Sequence, residues 1–110
     1  MGVTKSEIYT DQQNELATIL KAIGHPARLA IIEQLLETNA CICGDFSREI
    51  GLAQPTISRH LKELKNIGII QGDVEGSSIC YCINPTRWYE IQQRLVGFFG
   101  RFYGDDKNCC

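Results

Sequence analysis

The sequence predicts a single, mainly α-helical domain that carries one β-hairpin, with its elements in the order α-α-α-α-β-β-α. The chain has 110 residues, which is the length of one ordinary domain. Apolar residues recur at helical spacing in several segments, and near the middle two short apolar runs flank a polar turn. Hydrophobic residues make up 44% of the chain and charged residues 22%, as is typical of folded soluble domains.

The first two helices are predicted from apolar stripes on either side of His25. Apolar positions between Asp11 and Gly24 predict a helix over 11–24, and Gly24 provides its stop signal. Pro26 suits the first turn of a second helix, which ends near Thr38. We interpret His25 as the residue at which this second helix begins rather than as a metal ligand.

The next segment predicts a helix-turn-helix over 45–67. Phe46 and Ile50 lie four residues apart in a short third helix, and Gly51 makes the turn into a fourth helix. The fourth helix begins at Gln54-Pro55 and buries one apolar side, formed by Ile57, Leu61 and Leu64. The hairpin that follows makes the motif a winged helix-turn-helix.

The hairpin, or wing, is predicted over 69–83. Its strands are 69–70 and 78–83, joined through a polar turn from Asp73 to Ser77. A strongly apolar last helix is expected over 86–103, followed by a flexible polar tail over 104–110. Because Phe98 and Phe99 are adjacent and Trp88, Ile91 and Leu95 form a separate stripe, this helix has more apolar surface than one small core covers.

Charge and composition narrow the function classes. The formal net charge is −2, but the segment from Ser47 to Lys65 is locally basic. Its N-terminal segment offers neither a signal-peptide core nor a membrane span, so we expect a cytoplasmic protein with no membrane partner. Neither a Cys-x-x-Cys at a strand-to-helix junction nor a nucleophile with a positioned base is visible, and we therefore do not expect an enzyme.

A DNA-reading surface is predicted on the fourth helix. At about 100° per residue, Arg59 points almost directly away from the buried side, with Thr56 and Lys62 beside it. In the wing, Gly76, Ser77 and Ser78 could reach a phosphate or the minor groove, although a plain surface turn explains them equally well.

Three segments, GHPARLAIIEQL, GLAQPTISRHLKELKNIGII and EGSSICYCIN, resemble the ArsR/SmtB family of metal-responsive repressors, over His25 to Pro85. The resemblance implies that residues of the fourth helix contact double-stranded DNA. The residues implied to approach bases are Gln54, Thr56, Ser58, Arg59 and His60, and Lys62 is implied to lie nearer phosphate. It also implies a homodimer that pairs through the helices at 11–24 and 86–103 and binds a palindromic operator. The alternative that the protein is a monomer stays open. Ala53 departs from the usual serine of the family, so a helix N-cap is missing.

The six cysteines occur as three local pairs, 41/43, 80/82 and 109/110, which we interpret as reduced thiols. Thiolates select soft acceptors. Cys41-Ile42-Cys43 resembles the Cys-Val-Cys-Asp sensor motif of the family, except that Gly44 follows Cys43, and it is our preferred inducer site. We expect no cofactor, and an inducer that is As(III) or Sb(III) before Cd(II), Pb(II) or Zn(II).

A third sulfur for trivalent arsenic could come from Cys109 or Cys110. For Cys80 and Cys82 we favour a structural role under the wing over sensing, and exposed sulfurs stay open as the alternative. The sequence thus predicts a DNA-binding transcriptional repressor that a thiophilic metal or metalloid releases from its operator. Two alternatives stay open: a repressor that senses oxidation through its thiols, and a winged helix that binds another protein instead of DNA.

Overall fold

The structure is a computed structural model that describes residues 8–43, 46, 50–75 and 78–104. Its elements are α1 (Asp11–Ile23), α2 (Pro26–Thr38), β1 (Ile42–Cys43), α3 (Gln54–Asn66), β2 (Ile70–Glu75), β3 (Ser78–Ile83) and α4 (Pro85–Phe99). Apart from the short helix predicted over 45–50, this is the predicted order with one additional strand, β1. The described part has the winged helix-turn-helix architecture.

The first two helices begin at side-chain caps. Thr10 accepts a hydrogen bond from the Gln13 backbone N–H at 3.0 Å, and the Gln13 side chain accepts one from the Thr10 N–H at 2.9 Å. His25 caps α2, because its Nδ1 accepts from the Ala27 N–H at 3.0 Å. His25 is therefore a helix-entry residue, as its position before Pro26 predicts.

Of the two helices predicted for the helix-turn-helix, the structure describes Phe46 and Ile50 in the first and the whole of the second, α3. The predicted helix at 45–50 lies largely outside the described residues, but Phe46 is buried and its carbonyl accepts from the Ile50 N–H at 3.0 Å. In contrast to α1 and α2, α3 follows Ala53 without a side-chain cap. The missing N-cap predicted from the sequence is thus confirmed.

The sheet has three antiparallel strands in the order β1-β3-β2. β1 was not predicted; it pairs with β3 so that Ile42 lies opposite Tyr81 and Cys43 opposite Cys80. β2 pairs with β3 as far as Glu75 opposite Ser78. The predicted turn from Asp73 to Ser77 is therefore wrong over 73–75, where ladder pairing continues.

The last helix is shorter than predicted, since it ends at Phe99 instead of Tyr103. Arg94 connects it to α1 through Glu15 at 3.4 Å and the Gln12 carbonyl at 3.0 Å. Among the described residues, no helix is long and apolar enough to cross a membrane.

The core lies where α1, α2, α3 and the sheet meet. Its residues are apolar side chains with almost no solvent exposure, and partly buried side chains such as Tyr81, Trp88 and Leu95 surround them. The core members are Ile19, Ile31, Ile32, Leu35, Phe46, Ile57, Leu61, Leu64, Ile69, Ile70 and Ile91. This core holds α3 at the surface with one side buried.

Candidate nucleic-acid interface and cysteine cluster

The outer face of α3 is polar and open to solvent. Ile57, Leu61 and Leu64 are buried, as predicted, so they anchor the helix to the core. Gln54, Ser58, Arg59 and Lys62 are exposed, and Thr56 is half-buried. Five of the six residues predicted to contact DNA therefore lie on or beside one accessible helix face.

His60 is the exception, and its predicted approach to bases is wrong because its side chain is buried, with 9% exposure. It follows Arg59 on the helix and therefore points about 100° around the axis, toward the protein. Its ring lies against His25, with centroids 4.5 Å apart. In addition, its Nδ1 accepts a hydrogen bond from the Arg28 Nε at 3.0 Å.

This inward contact connects three helices. The Arg28 guanidinium also donates through Nη1 to the Ala22 carbonyl at 3.0 Å, near the end of α1. Burial lowers the pKa of His60 below its ordinary value, and the nearby His25, Arg28 and Arg59 lower it further in that order. His60 thus serves as a neutral acceptor that positions α3 relative to α1 and α2.

The C-terminal end of α3 is also fixed. Arg87 of α4 donates through Nε to the Ile67 carbonyl at 2.8 Å. Gly68 adopts φ +82°, and a Cβ at this position would come within 3.1 Å of the Arg87 side chain. A glycine therefore suits both the backbone angle and the close packing that turn the chain from α3 into the wing.

Four cysteines meet where β1 pairs with β3. Cys41 is joined to Cys82 and Cys43 to Cys80 as disulfides, with Cα atoms 4.3 and 4.0 Å apart. We call these four residues the four-cysteine cluster. The expectation that all cysteines are reduced thiols is wrong for the cluster in this structure. The ladder register brings each pair together, because residues opposite one another point to the same side of the sheet.

The sequence analysis missed this meeting because it did not recognise β1. Both cysteine pairs have the Cys-x-Cys spacing that places two side chains on one face of a strand, which was the available signal. Cys80 and Cys82 do share a face opposite Tyr81, as expected, since Tyr81 packs toward the core. Cys41 and Cys43 are exposed, Cys82 is half-buried and Cys80 is buried.

The remaining predicted site residues lie elsewhere. Cys109, Cys110, Gly76 and Ser77 are outside the described residues, and Ser78 is the first residue of β3. With both disulfides formed, no group of three or more His, Cys, Asp or Glu in the described part could hold a metal ion. A disulfide sulfur is not a thiolate ligand, so the cluster would bind a metal only after reduction.

A second surface is apolar. Along α4, Tyr89 is 61%, Val96 60% and Phe99 66% exposed. Among the residues of α4 that the structure describes, only Ile91 is buried in the core. An exposed apolar surface of this kind is typical of a protein interface.

Comparison with known proteins is consistent with both surfaces. The protein-family model described as bacterial regulatory protein, arsR family, matches residues 25–71 of this chain. The chain is 39% identical over 82 residues to the uncharacterized HTH-type transcriptional regulator MJ1325 of Methanocaldococcus jannaschii, covering 74% of this chain and 91% of the relative. It is 34% identical over 81 residues to the arsenical resistance operon repressor of Staphylococcus xylosus, covering 74% and 77%.

A solved structure gives the same fold. The homodimeric winged helix-turn-helix DNA-binding domain Mb0332 of Mycobacterium bovis matches with a TM-score of 0.64 at 18% identity, over 96% of this chain and 98% of that one. With these relatives, and with an exposed polar helix carried on a winged fold, the chain belongs to the ArsR family of DNA-binding transcriptional repressors.

Proposed function

We propose that this protein represses transcription by binding a palindromic operator as a homodimer, and that chemistry at Cys41 and Cys43 releases it. The observation that carries the proposal is the exposed face of α3, where Gln54, Ser58 and Arg59 are open to solvent while the apolar side of the helix is buried. A helix of this kind fits the major groove, where arginine pairs with guanine and glutamine with adenine. Lys62, one turn further along, is suited to a phosphate.

Homodimer formation is supported by the apolar surface of α4. An α-helix with more than half of the side chains of Val96 and Phe99 in solvent is costly for a monomer. Two-fold pairing through this helix and α1 would bury that surface and set two copies of α3 in successive major grooves.

The inducer we propose is trivalent arsenic. The support is that Cys41 and Cys43 are exposed and separated by one residue, with Cys43 in β1 and Cys41 directly before it, ahead of the helix-turn-helix segment. Soft thiolates prefer soft acceptors, and the relative from Staphylococcus xylosus is an arsenical resistance operon repressor. Binding at this position would act close to Phe46, a core residue that lies within the predicted helix-turn-helix, and so could shift the position of α3.

Oxidation is the second candidate signal, and the two disulfides favour it. A repressor whose Cys41–Cys82 and Cys43–Cys80 bonds form or break would change its DNA affinity without any metal. The two signals differ chemically, since arsenic would bind the cysteines in their reduced state whereas oxidation converts them to disulfides.

The test is fluorescence-anisotropy titration of fully reduced protein onto DNA from upstream of its own gene. Arsenite, antimonite, Cd(II), Pb(II), Zn(II) and an oxidant are then added in separate arms. Arsenite should release the DNA, and Cys41→Ser/Cys43→Ser should bind DNA normally but ignore arsenite. Release by the oxidant alone would replace arsenic with redox sensing, and a lack of salt-sensitive DNA binding would remove the repressor assignment itself.

A further inference from the structure

We propose that Cys41, Cys43, Cys80 and Cys82 form one site for a trivalent thiophilic metalloid, open only when both disulfides are reduced. In it, β3 supplies the third sulfur that Cys41 and Cys43 lack. This inference rests on the proposed arsenic-responsive function and deepens it, because it assigns a sensing role to two cysteines that the sequence analysis assigned to structure.

The sheet geometry places the four sulfurs together. Cys43 lies opposite Cys80 and Ile42 opposite Tyr81, and the Cys41–Cys82 disulfide comes directly after these two pairs, two residues from Cys43 and Cys80. Two side chains separated by one residue on a strand share a face, so the four thiols form a two-by-two group on one side of β1 and β3. After reduction, any three of them are held near one another by backbone pairing that is already in place.

The third sulfur of the cluster lies on a strand that is already paired. A ligand supplied by a segment that must first be ordered costs roughly 1–2 kcal/mol per residue in backbone entropy. Cys80 and Cys82 need no such ordering, because β3 is paired on both sides, with β1 and β2. The preorganised ligands should therefore bind first.

Access to the cluster exists from solvent. Cys41 and Cys43 are exposed, and a groove of about 510 Å³ runs past Cys41 and Cys82, with Leu35 and Trp88 among its walls. Arsenous acid is a small neutral molecule, so an open groove with apolar walls does not repel it. Cys80, which is buried, closes the inner side of the group.

The chemistry balances without a change in the oxidation state of arsenic. Two molecules of a low-molecular-weight thiol first reduce each disulfide. They are oxidised to a disulfide with each other, and two cysteine thiols form. Arsenous acid then exchanges its three hydroxyl groups for three cysteine sulfurs: three As–O bonds break, three As–S bonds form, and the thiol protons leave in three water molecules. A disulfide between any pair removes two of the donors, so oxidation and arsenic binding exclude each other.

The experiment follows the protected thiols in the unmutated protein. Reduced full-length protein, with and without arsenite, is alkylated under native conditions, then unfolded and digested with trypsin. Cleavage separates the three pairs, since Cys41 and Cys43 lie in peptide 29–48, Cys80 and Cys82 in 66–87, and Cys109 and Cys110 in 108–110. Arsenite should protect peptides 29–48 and 66–87 and leave 108–110 alkylated. Protection of 108–110 in place of 66–87 would overturn the proposal.

Three matched double variants add a second readout, the near-ultraviolet absorbance of arsenic–thiolate bonds. Cys109→Ser/Cys110→Ser removes as many thiols as the other two variants and should titrate like the unmutated protein. Cys41→Ser/Cys43→Ser and Cys80→Ser/Cys82→Ser should each lose saturable binding, with circular dichroism confirming that they are folded. Unchanged binding by Cys80→Ser/Cys82→Ser would overturn the shared site.

DNA release measured on the same samples separates the two proposals. If arsenite protects the cluster but the operator stays bound, the site stands and the proposed function fails. If arsenite releases the operator while only peptides 29–48 and 108–110 are protected, the function stands and the shared site fails.

Discussion

At the residue scale, two neighbours on α3 have opposite roles. Arg59 is exposed on the outer face of the helix, whereas His60 is buried against His25 and Arg28. The difference arises from the helical rotation of about 100° between adjacent residues, which takes the side chain from solvent to the core. The proposed base contact and the positioning of the helix therefore fall on consecutive residues.

Replacing Arg59 by alanine should weaken operator binding by about 1–3 kcal/mol per half-site and relax sequence preference, because a bidentate base contact is lost. Lys62→Ala should weaken binding to all sequences and reduce the slope of log affinity against log salt by about one per protomer. Anisotropy at several salt concentrations distinguishes the two. Glu63→Ala, on the same helix, is the control, and an Arg59→Ala protein with normal specificity would contradict the assignment.

The lowered pKa of His60 predicts that acid lowers the free energy of unfolding. Since the folded chain holds this imidazole neutral more strongly than the unfolded chain does, the unfolded chain takes up the proton first as pH falls. The stabilisation is complete above the ordinary histidine pKa of about 6.5 and is lost as pH falls through the lowered folded value. Urea unfolding from about pH 8 to about pH 5 measures this loss.

His60→Asn should flatten that pH dependence, because the amide oxygen still accepts from Arg28 but does not titrate. His25→Asn is the comparison variant, since asparagine caps a helix well and the hydrogen bond from Arg28 to His60 does not involve His25. These are the only two histidines in the chain. An unaltered pH profile in His60→Asn would show that another group causes the dependence.

At the element scale, α3 begins without a cap although α1, α2 and α4 each have one. Ala53 is exposed and extended, with φ −65° and ψ 147°, which is the backbone conformation of an N-cap residue. The uncapped start lies at the end of the helix that we propose enters the major groove, next to the exposed Gln54.

Ala53→Thr should therefore stabilise the protein by about 0.5–1 kcal/mol, because its hydroxyl can accept from the Thr56 N–H. Thermal or urea unfolding measures the gain. Ala53→Val has the same shape without the acceptor and should show no gain. Equal stabilities of the threonine and valine proteins would mean that capping is not limiting here.

At the scale of the whole molecule, α4 has one side packed on the monomer and an apolar surface left in solvent. It packs on α1 through Arg94 and on α3 through Arg87, but its apolar side chains at Val96 and Phe99 stay in solvent. A dimer would bury them and would also determine the spacing of the two reading helices.

Val96→Glu/Phe99→Glu should convert the protein to a folded monomer of 12.4 kDa in sedimentation velocity and weaken operator binding. The reason is that charges in the centre of an apolar interface lose hydration without finding partners. Lys65→Glu changes the net charge by the same amount on an exposed surface away from α4 and should leave the mass unchanged. A double-glutamate variant that still sediments as a dimer would place the interface elsewhere.

Local patterns were sufficient to predict most of the secondary structure. Apolar spacing and stop signals predict the bounds of α1, α2, α3 and β3 closely, since these elements have a periodic buried side. The end of α4 and the length of β2 were predicted less well, because apolar residues continue past Phe99 and polar residues occupy the wing. β1 has two residues, too few for any periodicity to be visible.

The sequence alone was enough for the winged fold, for the outward position of Arg59 and for the family resemblance, because each depends on residues close together in the chain. The burial of His60 and the meeting of four cysteines required the tertiary structure. His60 is turned inward by a partner 32 residues away, and the cysteine pairs are 41 and 37 residues apart. Contacts at such separations are decided by how the elements pack, and no local pattern of residues reports that packing.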